Sequence, residues 1–280
     1  MARHRGSVVR LHVLTWNLFH GRDHPPEPGL DDVASRLLGQ EVLGARYAQV
    51  RRSLEEEFAA TLAAERWHVA LLQEAPLGWL RPLCRRARAS GASARTARNE
   101  GAVLRAWLAA RRPDLLGSWE GGSNQVLVRA PWRIMEVRRM TLRWVPERRR
   151  MLLVRIADPA GRSVAVACLH ASVSDHEPER DVSSAAAAAA AFAPAGPLIL
   201  GGDLNLRPRV CPGAFARLRE RHRLTGETGP EAIDHLLHRE LEVLAAAREM
   251  PPSWREVERP DGRLVRLSDH APVVARFGVR

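Results

Sequence analysis

The sequence predicts an α/β protein in which two β-sheets pack face to face with helices on their outer surfaces. Short apolar runs of buried-strand length recur in both halves of the 280-residue chain, and each half also holds stretches with a helical apolar period. No stretch has the composition of a linker, so a single domain over residues 1–280 is expected.

The elements follow in order. Residues 8–16 mix β-branched and apolar side chains and predict a first strand ending at Asn17. A loop rich in Gly and Pro precedes Asp31-Asp32, which cap a helical pattern from Val33 to Leu62, with Gly39 or Gly44 as breaks. His68–Glu74 reads as a buried parallel strand. Residues 77–112 read as two helices around an Arg/Ser/Ala-rich loop at 88–100. Asn124–Arg129, Ile134–Leu142, Met151–Ala157 and Ser163–His170 then read as successive strands, antiparallel because their connections are short. An alanine-rich helix at 183–193 leads to Leu198–Asp203, a short apolar run that closes on two glycines. Pro212–His222 reads as a helix, Ile233–His238 and Leu241–Ala247 as strands, 250–266 as irregular, and the segment after Asp269-His270 as a last strand.

Composition bounds the function. With 45% hydrophobic residues a sizeable core is available. The formal charge is +11 and all 43 basic residues are arginine, a side chain suited to phosphate, although a solvated surface accounts for a surplus equally well. One basic cluster gathers Arg81, Arg85, Arg86, Arg88, Arg95 and Arg98; a second gathers Arg138, Arg139, Arg143, Arg148, Arg149 and Arg150. Cys84, Cys168 and Cys211 are few, odd in number and widely spaced, against a disulfide framework or a zinc cluster. No signal-peptide core and no membrane-spanning segment is evident, so a cytoplasmic protein is expected.

The informative pattern is repetition at strand ends. Asn17, Glu74, His170, Asp203 with Asn205, Asp234, and Asp269 with His270 each sit where an apolar strand starts or stops. Singly, each is an ordinary turn or cap residue. Jointly they are not, because core packing asks for no such residues at so many strand ends. Several carboxylates meeting there repel one another unless a cation intervenes. Oxygen donors without cysteine favour Mg²⁺ or Mn²⁺ over zinc.

Six short motifs carry a resemblance: Thr-Trp-Asn at 15–17, Leu-Gln-Glu at 72–74, Leu-His at 169–170, Gly-Asp-Leu-Asn at 202–205, Ile-Asp-His at 233–235 and Ser-Asp-His-Ala-Pro at 268–272. In this order the set resembles the endonuclease/exonuclease/phosphatase family, which includes DNase I, exonuclease III-type enzymes, neutral sphingomyelinases and inositol polyphosphate 5-phosphatases. The resemblance implies a DNase I-like four-layered α/β/β/α sandwich with two mostly antiparallel sheets, and Mg²⁺-dependent cleavage of phosphoester bonds. It implies Glu74 as the principal metal ligand with Asn17 and Asp269 beside it. Asp203 then orients or deprotonates the attacking water, Asn205 holds a phosphate oxygen, Asp234 pairs with His270, and His170 faces the phosphate. Asp203 and the Asp234–His270 pair both remain candidates for the base. Asn124 is a looser match.

His170 stands where the exonuclease III type is expected to carry tyrosine, and the only tyrosine is Tyr47, so abasic-site cleavage is not carried over. Nucleic acid is the expected substrate, with the arginine clusters as backbone contacts. A small or lipid phosphoester such as sphingomyelin or an inositol phosphate is the alternative, and a catalytically silent binding module the third reading.

Overall fold

The computed structural model describes residues 8–96, 122–144, 149–173 and 176–280. The chain begins with β1 (Val9–Asn17), α1 (Val33–Leu38), β2 (Val42–Leu43), β3 (Ala48–Gln49) and α2 (Glu55–Ala64). It continues through β4 (Val69–Ala75), α3 (Leu80–Ala87), β5 (Ala89–Arg95), β6 (Ser123–Arg129), β7 (Arg133–Arg143), β8 (Arg149–Ala157) and β9 (Ser163–His170). The remainder is α4 (Glu177–Phe192), β10 (Leu198–Asp203), α5 (Pro212–His222), β11 (Asp234–Arg239), β12 (Glu242–Glu249), β13 (Glu256–Glu258), β14 (Leu264–Arg266) and β15 (Val273–Val279).

Six strands form one sheet in the order β12-β15-β1-β4-β6-β5, and five form the other in the order β11-β10-β9-β8-β7. Pairing is antiparallel except for β1 with β4 and β9 with β10. Three buried clusters lie between the four layers. Leu11, Leu71, Val126, Val166, Ile199 and Phe277 fill the seam between the sheets. Phe58, Leu62 and Leu83 from α2 and α3 cover Leu14, Ala70 and Leu72 on the outer face of the first sheet. Val182, Ala185, Ala189, Phe215 and Leu218 from α4 and α5 cover Leu153, Ala167 and Leu200 on the second. Alanine favours the helix and leaves little bulk between its axis and the sheet, which is why the alanine run forms this outer layer. The architecture is the α/β/β/α sandwich.

Several local expectations are corrected. The helical pattern over 31–62 breaks at Gly39, one of the two expected breaks, but does not resume directly after it. Asp32 caps α1 by accepting from the Ala34 and Ser35 amides, and Gly39 ends it after six residues at φ 67°. A β2–β3 hairpin follows before α2. The period misled because Val33, Leu37, Leu38 and Leu43 are 51–66% exposed and pack in no core. Residues 89–95, expected as loop, are β5, whose Ala, Ser and Gly carry little intrinsic strand preference but pair along β6. The second expected helix, around Val103–Leu108, lies outside the described residues, as do Arg98 and Arg148. β6 does not join the meander β7-β8-β9; it pairs with β4 and β5, so the chain crosses between sheets after Arg129. The alanine-rich helix begins earlier, at Glu177, and 250–266 holds the β13–β14 hairpin.

Gly202 sits where the second sheet tolerates no side chain. Its φ is +135°, and a Cβ there would lie 1.9 Å from the Leu169 carbonyl oxygen on β9. Gly202→Ala combines positive-φ strain with overpacking against backbone, so a loss of about 3 kcal/mol or more is expected. A denaturant midpoint within error of wild type would contradict this.

Candidate active site

Strand alternation delivers the site. On β1 the seam-facing series Leu11, Val13 continues to Asn17; on β9, Val164, Val166, Cys168 continues to His170; on β10, Ile199 continues to Asp203; on β11, Asp234 precedes Leu236 by two residues. Each polar residue therefore lies on the seam-facing parity of its strand beyond the apolar layer, directly on β9 and β11 and after Thr15 and Gly201 on β1 and β10. Below them, Thr15 Oγ1 lies 3.2 Å from Gln73 Oε1, and Gln73 Nε2 donates to Cys168 Sγ at 3.2 Å, forming the boundary between core and site.

Glu74 breaks the alternation. The β4–β6 register slips between Leu72 and Ala75, and Glu74 takes φ 46°. Such a bulge re-aims a side chain. Asp269 and His270 are fixed to the end of β1: Ser268 Oγ donates to the Asn17 carbonyl at 2.7 Å and accepts from the His270 amide at 3.0 Å. Trp16 Nε1 also donates to the His270 carbonyl at 3.0 Å.

Asp203 is the centre. Its Oδ2 accepts from Asn17 Nδ2 at 3.0 Å and its Oδ1 from the Asn205 amide at 3.1 Å. His170 Nε2 and His270 Nε2 stand 3.6 and 3.7 Å from Oδ2. His270 Nδ1 is 2.6 Å from Asp234 Oδ2, and Asp269 Oδ1 is 3.9 Å from His270 Nε2. Glu74 closes the ring, with Oε1 3.7 Å from His170 Nε2. All eight residues singled out from sequence thus meet in one connected cluster. Asn205 spends one amide hydrogen on the Ala171 carbonyl at 3.0 Å, and its NH₂ carries a second.

Burial and neighbouring charge divide the protonation states. Burial, then the charge of Asp234, pushes the Asp203 carboxyl above the usual carboxylate range. Burial opposes protonation of His270, yet the hydrogen bond and charge of Asp234, joined by Asp203 and Asp269, lift it to about 10. Burial lowers His170 to about 4 despite Glu74. At neutral pH one imidazole is therefore cationic and another neutral, a few ångströms from the same carboxylate.

The donor set suits a hard divalent cation. Glu74 and Asp269 offer carboxylates, and Asn17 Oδ1 accepts only the Phe19 amide at 3.0 Å among the described contacts, leaving lone-pair capacity. Asp203, Asp234 and His270 also offer one atom each within 4.8 Å of one another, and Asp234 Oδ1 is buried without a hydrogen-bond partner.

Residues outside the expected set complete the surroundings. His20 Nε2 lies 3.1 Å from Glu74 Oε2; it falls in a stretch that reads as plain loop. Arg149 is buried, with Nε donating to Ser172 Oγ at 3.1 Å. Arg150, the second residue of β8, lies two residues before Leu152, which pairs with Cys168, so it lies alongside His170. The turn at Asp158–Arg162 carries a signal for this: pairing the strands symmetrically about it sets 150 opposite 170. Asn124 is buried with Nδ2 donating to the Arg150 carbonyl at 2.8 Å, while its Oδ1 has no partner. In the first basic cluster Arg95 pairs with Ser123 at the Ala75 end of β4, and Arg85, Arg86 and Arg88 are elsewhere. Arg85, Arg86 and Arg88 border a groove with Glu55 and Glu56. Arg88 precedes Ala89, which pairs with Arg129 next to the Val69 end of β4, roughly 17 Å of strand from Glu74.

Carboxylate, amide and imidazole groups are placed here to accept a proton, donate one and hold a hard cation, on a fold used by hydrolases of phosphoester bonds. The sequence profile of the endonuclease/exonuclease/phosphatase family matches residues 14–270, and the chain belongs to that family. No curated protein sequence matches it significantly. Among solved structures it is similar to the mannosyl-6-phosphatase of Bacteroides thetaiotaomicron, with a TM-score of 0.64 at 13% identity, covering 95% of this chain and 99% of that one. It is similar to the human Nocturnin catalytic domain with bound sulfate, with a TM-score of 0.59 at 13% identity and coverage of 97% and 95%. It is also similar to D. rerio TDP2 complexed with a single-strand DNA product, with a TM-score of 0.55 at 14% identity and coverage of 96% and 98%. At these identities the likeness is one of fold. No helix among the described residues is long and apolar enough to cross a membrane.

Proposed function

We propose that the chain is a Mg²⁺-dependent phosphodiesterase that cleaves nucleic acid, with Mn²⁺ able to replace Mg²⁺. The observation that carries the reading is the placement of Asp203, a buried carboxylate whose Oδ2 accepts from Asn17 Nδ2 at 3.0 Å and stands 3.6 and 3.7 Å from the Nε2 atoms of His170 and His270. Glu74, Asp269 and Asn17 would hold the cation, which when bound supplies Lewis-acid polarisation of a phosphoryl oxygen.

The remaining steps belong to the chain's own groups. Asp203, oriented by Asn17 and the Asn205 amide, accepts the proton of the attacking water. His170, neutral, donates Nε2–H toward a phosphoryl oxygen, and the second amide hydrogen of Asn205 does the same. His270, kept cationic by Asp234, is a proton donor rather than a base, and it stabilises charge on the leaving oxygen. The base is then Asp203 and not the Asp234–His270 pair.

The second basic cluster supports a polyanionic substrate. Arg149 and Arg150 border His170, and Arg139, on β7, reaches across to the Ser93 carbonyl at 2.6 Å. Trp144, 65% exposed, follows β7 directly and offers a stacking face for a base. Arg143 is committed elsewhere, to Glu177 and Asp181 of α4. A small or lipid phosphoester, such as an inositol phosphate or sphingomyelin, is the second reading, favoured by the remoteness of Arg85, Arg86 and Arg88. Cys84, Cys168 and Cys211 are free thiols, which fits a reducing cytoplasm.

A panel of plasmid, single strands, sphingomyelin and inositol phosphates, each with Mg²⁺, Mn²⁺ or EDTA, tests the reading. Oligonucleotide cleavage is expected, with log kcat/KM falling against log salt at a slope of about −2 for two or three phosphate contacts. Turnover of the lipid or inositol substrates alone, with a flat salt response, would replace nucleic acid as the substrate.

A further inference from the structure

We propose that His20 is a positioning residue that clamps the metal-binding carboxylate of Glu74. The inference rests on the reading of Glu74 as a metal ligand. Glu74 uses its two oxygens differently. Oε2 lies 3.1 Å from His20 Nε2, and Oε1 points to the reaction side, 3.7 Å from His170 Nε2. An imidazole held at that distance from Oε2 fixes the carboxylate plane and leaves Oε1 for the cation.

The backbone is built for this contact. Phe19, His20 and Gly21 take φ of 49°, 54° and 76°, a run of left-handed residues that is costly for side chains other than glycine. The run is held at both ends: Asn17 Oδ1 accepts the Phe19 amide at 3.0 Å, and the Gly21 amide donates to the Leu18 carbonyl at 2.8 Å. The same Asn17 donates to Asp203, so the turn that carries His20 starts from the site itself. Glu74 reaches His20 through its own left-handed conformation at φ 46°.

Gly122 closes the arrangement from β6. A Cβ there would lie 2.9 Å from Glu74 Cα and 3.4 Å from His20 Cε1. Glycine alone lets this backbone lie against both partners. Its carbonyl accepts from Thr96 Oγ1 at 2.7 Å and from the Thr96 amide at 3.1 Å, which fixes it there. The turn after β1, the bulged end of β4 and a glycine just before β6 thus converge on one imidazole–carboxylate contact.

Mn²⁺ titration by calorimetry, on wild type and on His20→Ala and His20→Gln, tests the clamp without relying on turnover. Loss of a group that orients a metal ligand costs about 10–100-fold in affinity. His20→Ala is expected to weaken Mn²⁺ binding by that factor, and His20→Gln, which keeps an N–H at similar reach, to recover most of it. Circular dichroism and melting temperature close to wild type for the Gln variant show that the recovery is of position and not of folding. Wild-type affinity in His20→Ala, or a Gln variant no better than Ala, overturns the clamp. Wild type that binds no Mn²⁺ overturns instead the reading of Glu74 as a ligand, and the clamp with it.

Discussion

Asp203→Asn is expected to lower kcat by about 10²–10⁴-fold, the range for loss of a positioned general base. Asparagine keeps the size of the side chain and one acceptor oxygen, so the turn after β10 retains its form. It cannot take a proton from water. The position is unusual for a carboxylate, since it is 2% exposed and sits between Asn17, His170 and His270. Burial and Asp234 raise its basicity, which suits proton transfer near neutral pH. KM for an oligonucleotide should change little, because Arg149, Arg150 and the metal-binding residues are untouched. A variant with kcat within tenfold of wild type would assign the base elsewhere.

Asp234→Asn is expected to change the pH profile as well as the rate. In wild type, kcat/KM rises as Asp203 loses its proton, above the ordinary carboxylate range, and falls as His270 loses its proton near 10. Asp234 is the partner that holds His270 cationic, through the 2.6 Å contact at Nδ1. An amide there removes the charge, so the alkaline limb moves down toward the ordinary histidine range and kcat falls by about 10²–10³-fold. Stability follows the same sign. The raised affinity of folded His270 for its proton contributes stability that is full below about 6.5 and lost as pH rises through about 10. Asp234→Asn should therefore lower the melting temperature at pH 6 more than at pH 10. An unchanged alkaline limb would show that Asp234 does not set the charge on His270.

The inner-face pattern explains how much of this was legible in the chain. Asn17, His170, Asp203 and Asp234 all continue the apolar parity of their strands, so reading the polar residues at strand ends finds strand and site together. Glu74 was found as a strand-end residue, but its aim depends on a bulge that no periodicity reports. His20 escaped because its role comes from a left-handed turn and from Gly122, which is about a hundred residues away in the chain. Over 31–62 the break at Gly39 is legible but the β2–β3 hairpin after it is not: the leucines of α1 keep a helical period while facing solvent, and period alone does not distinguish an exposed apolar stripe from a buried one. Strand β6 was recognised as a strand and assigned to the wrong neighbours, because short connections suggest a meander and the crossing between sheets leaves no local mark. Likewise the two arginine clusters look alike in sequence, and only the register separates Arg150 beside His170 from Arg88 at the far end of β4.

If one metal-dependent site around Asp203 cleaves phosphodiester bonds, cleavage requires both the metal and that carboxylate. Single-turnover cleavage of an end-labelled oligonucleotide in Mg²⁺ tests it most directly, comparing wild type, wild type with EDTA, and Asp203→Asn. Cleavage by wild type alone is the predicted result. Equal cleavage in the presence of EDTA and by Asp203→Asn would contradict it.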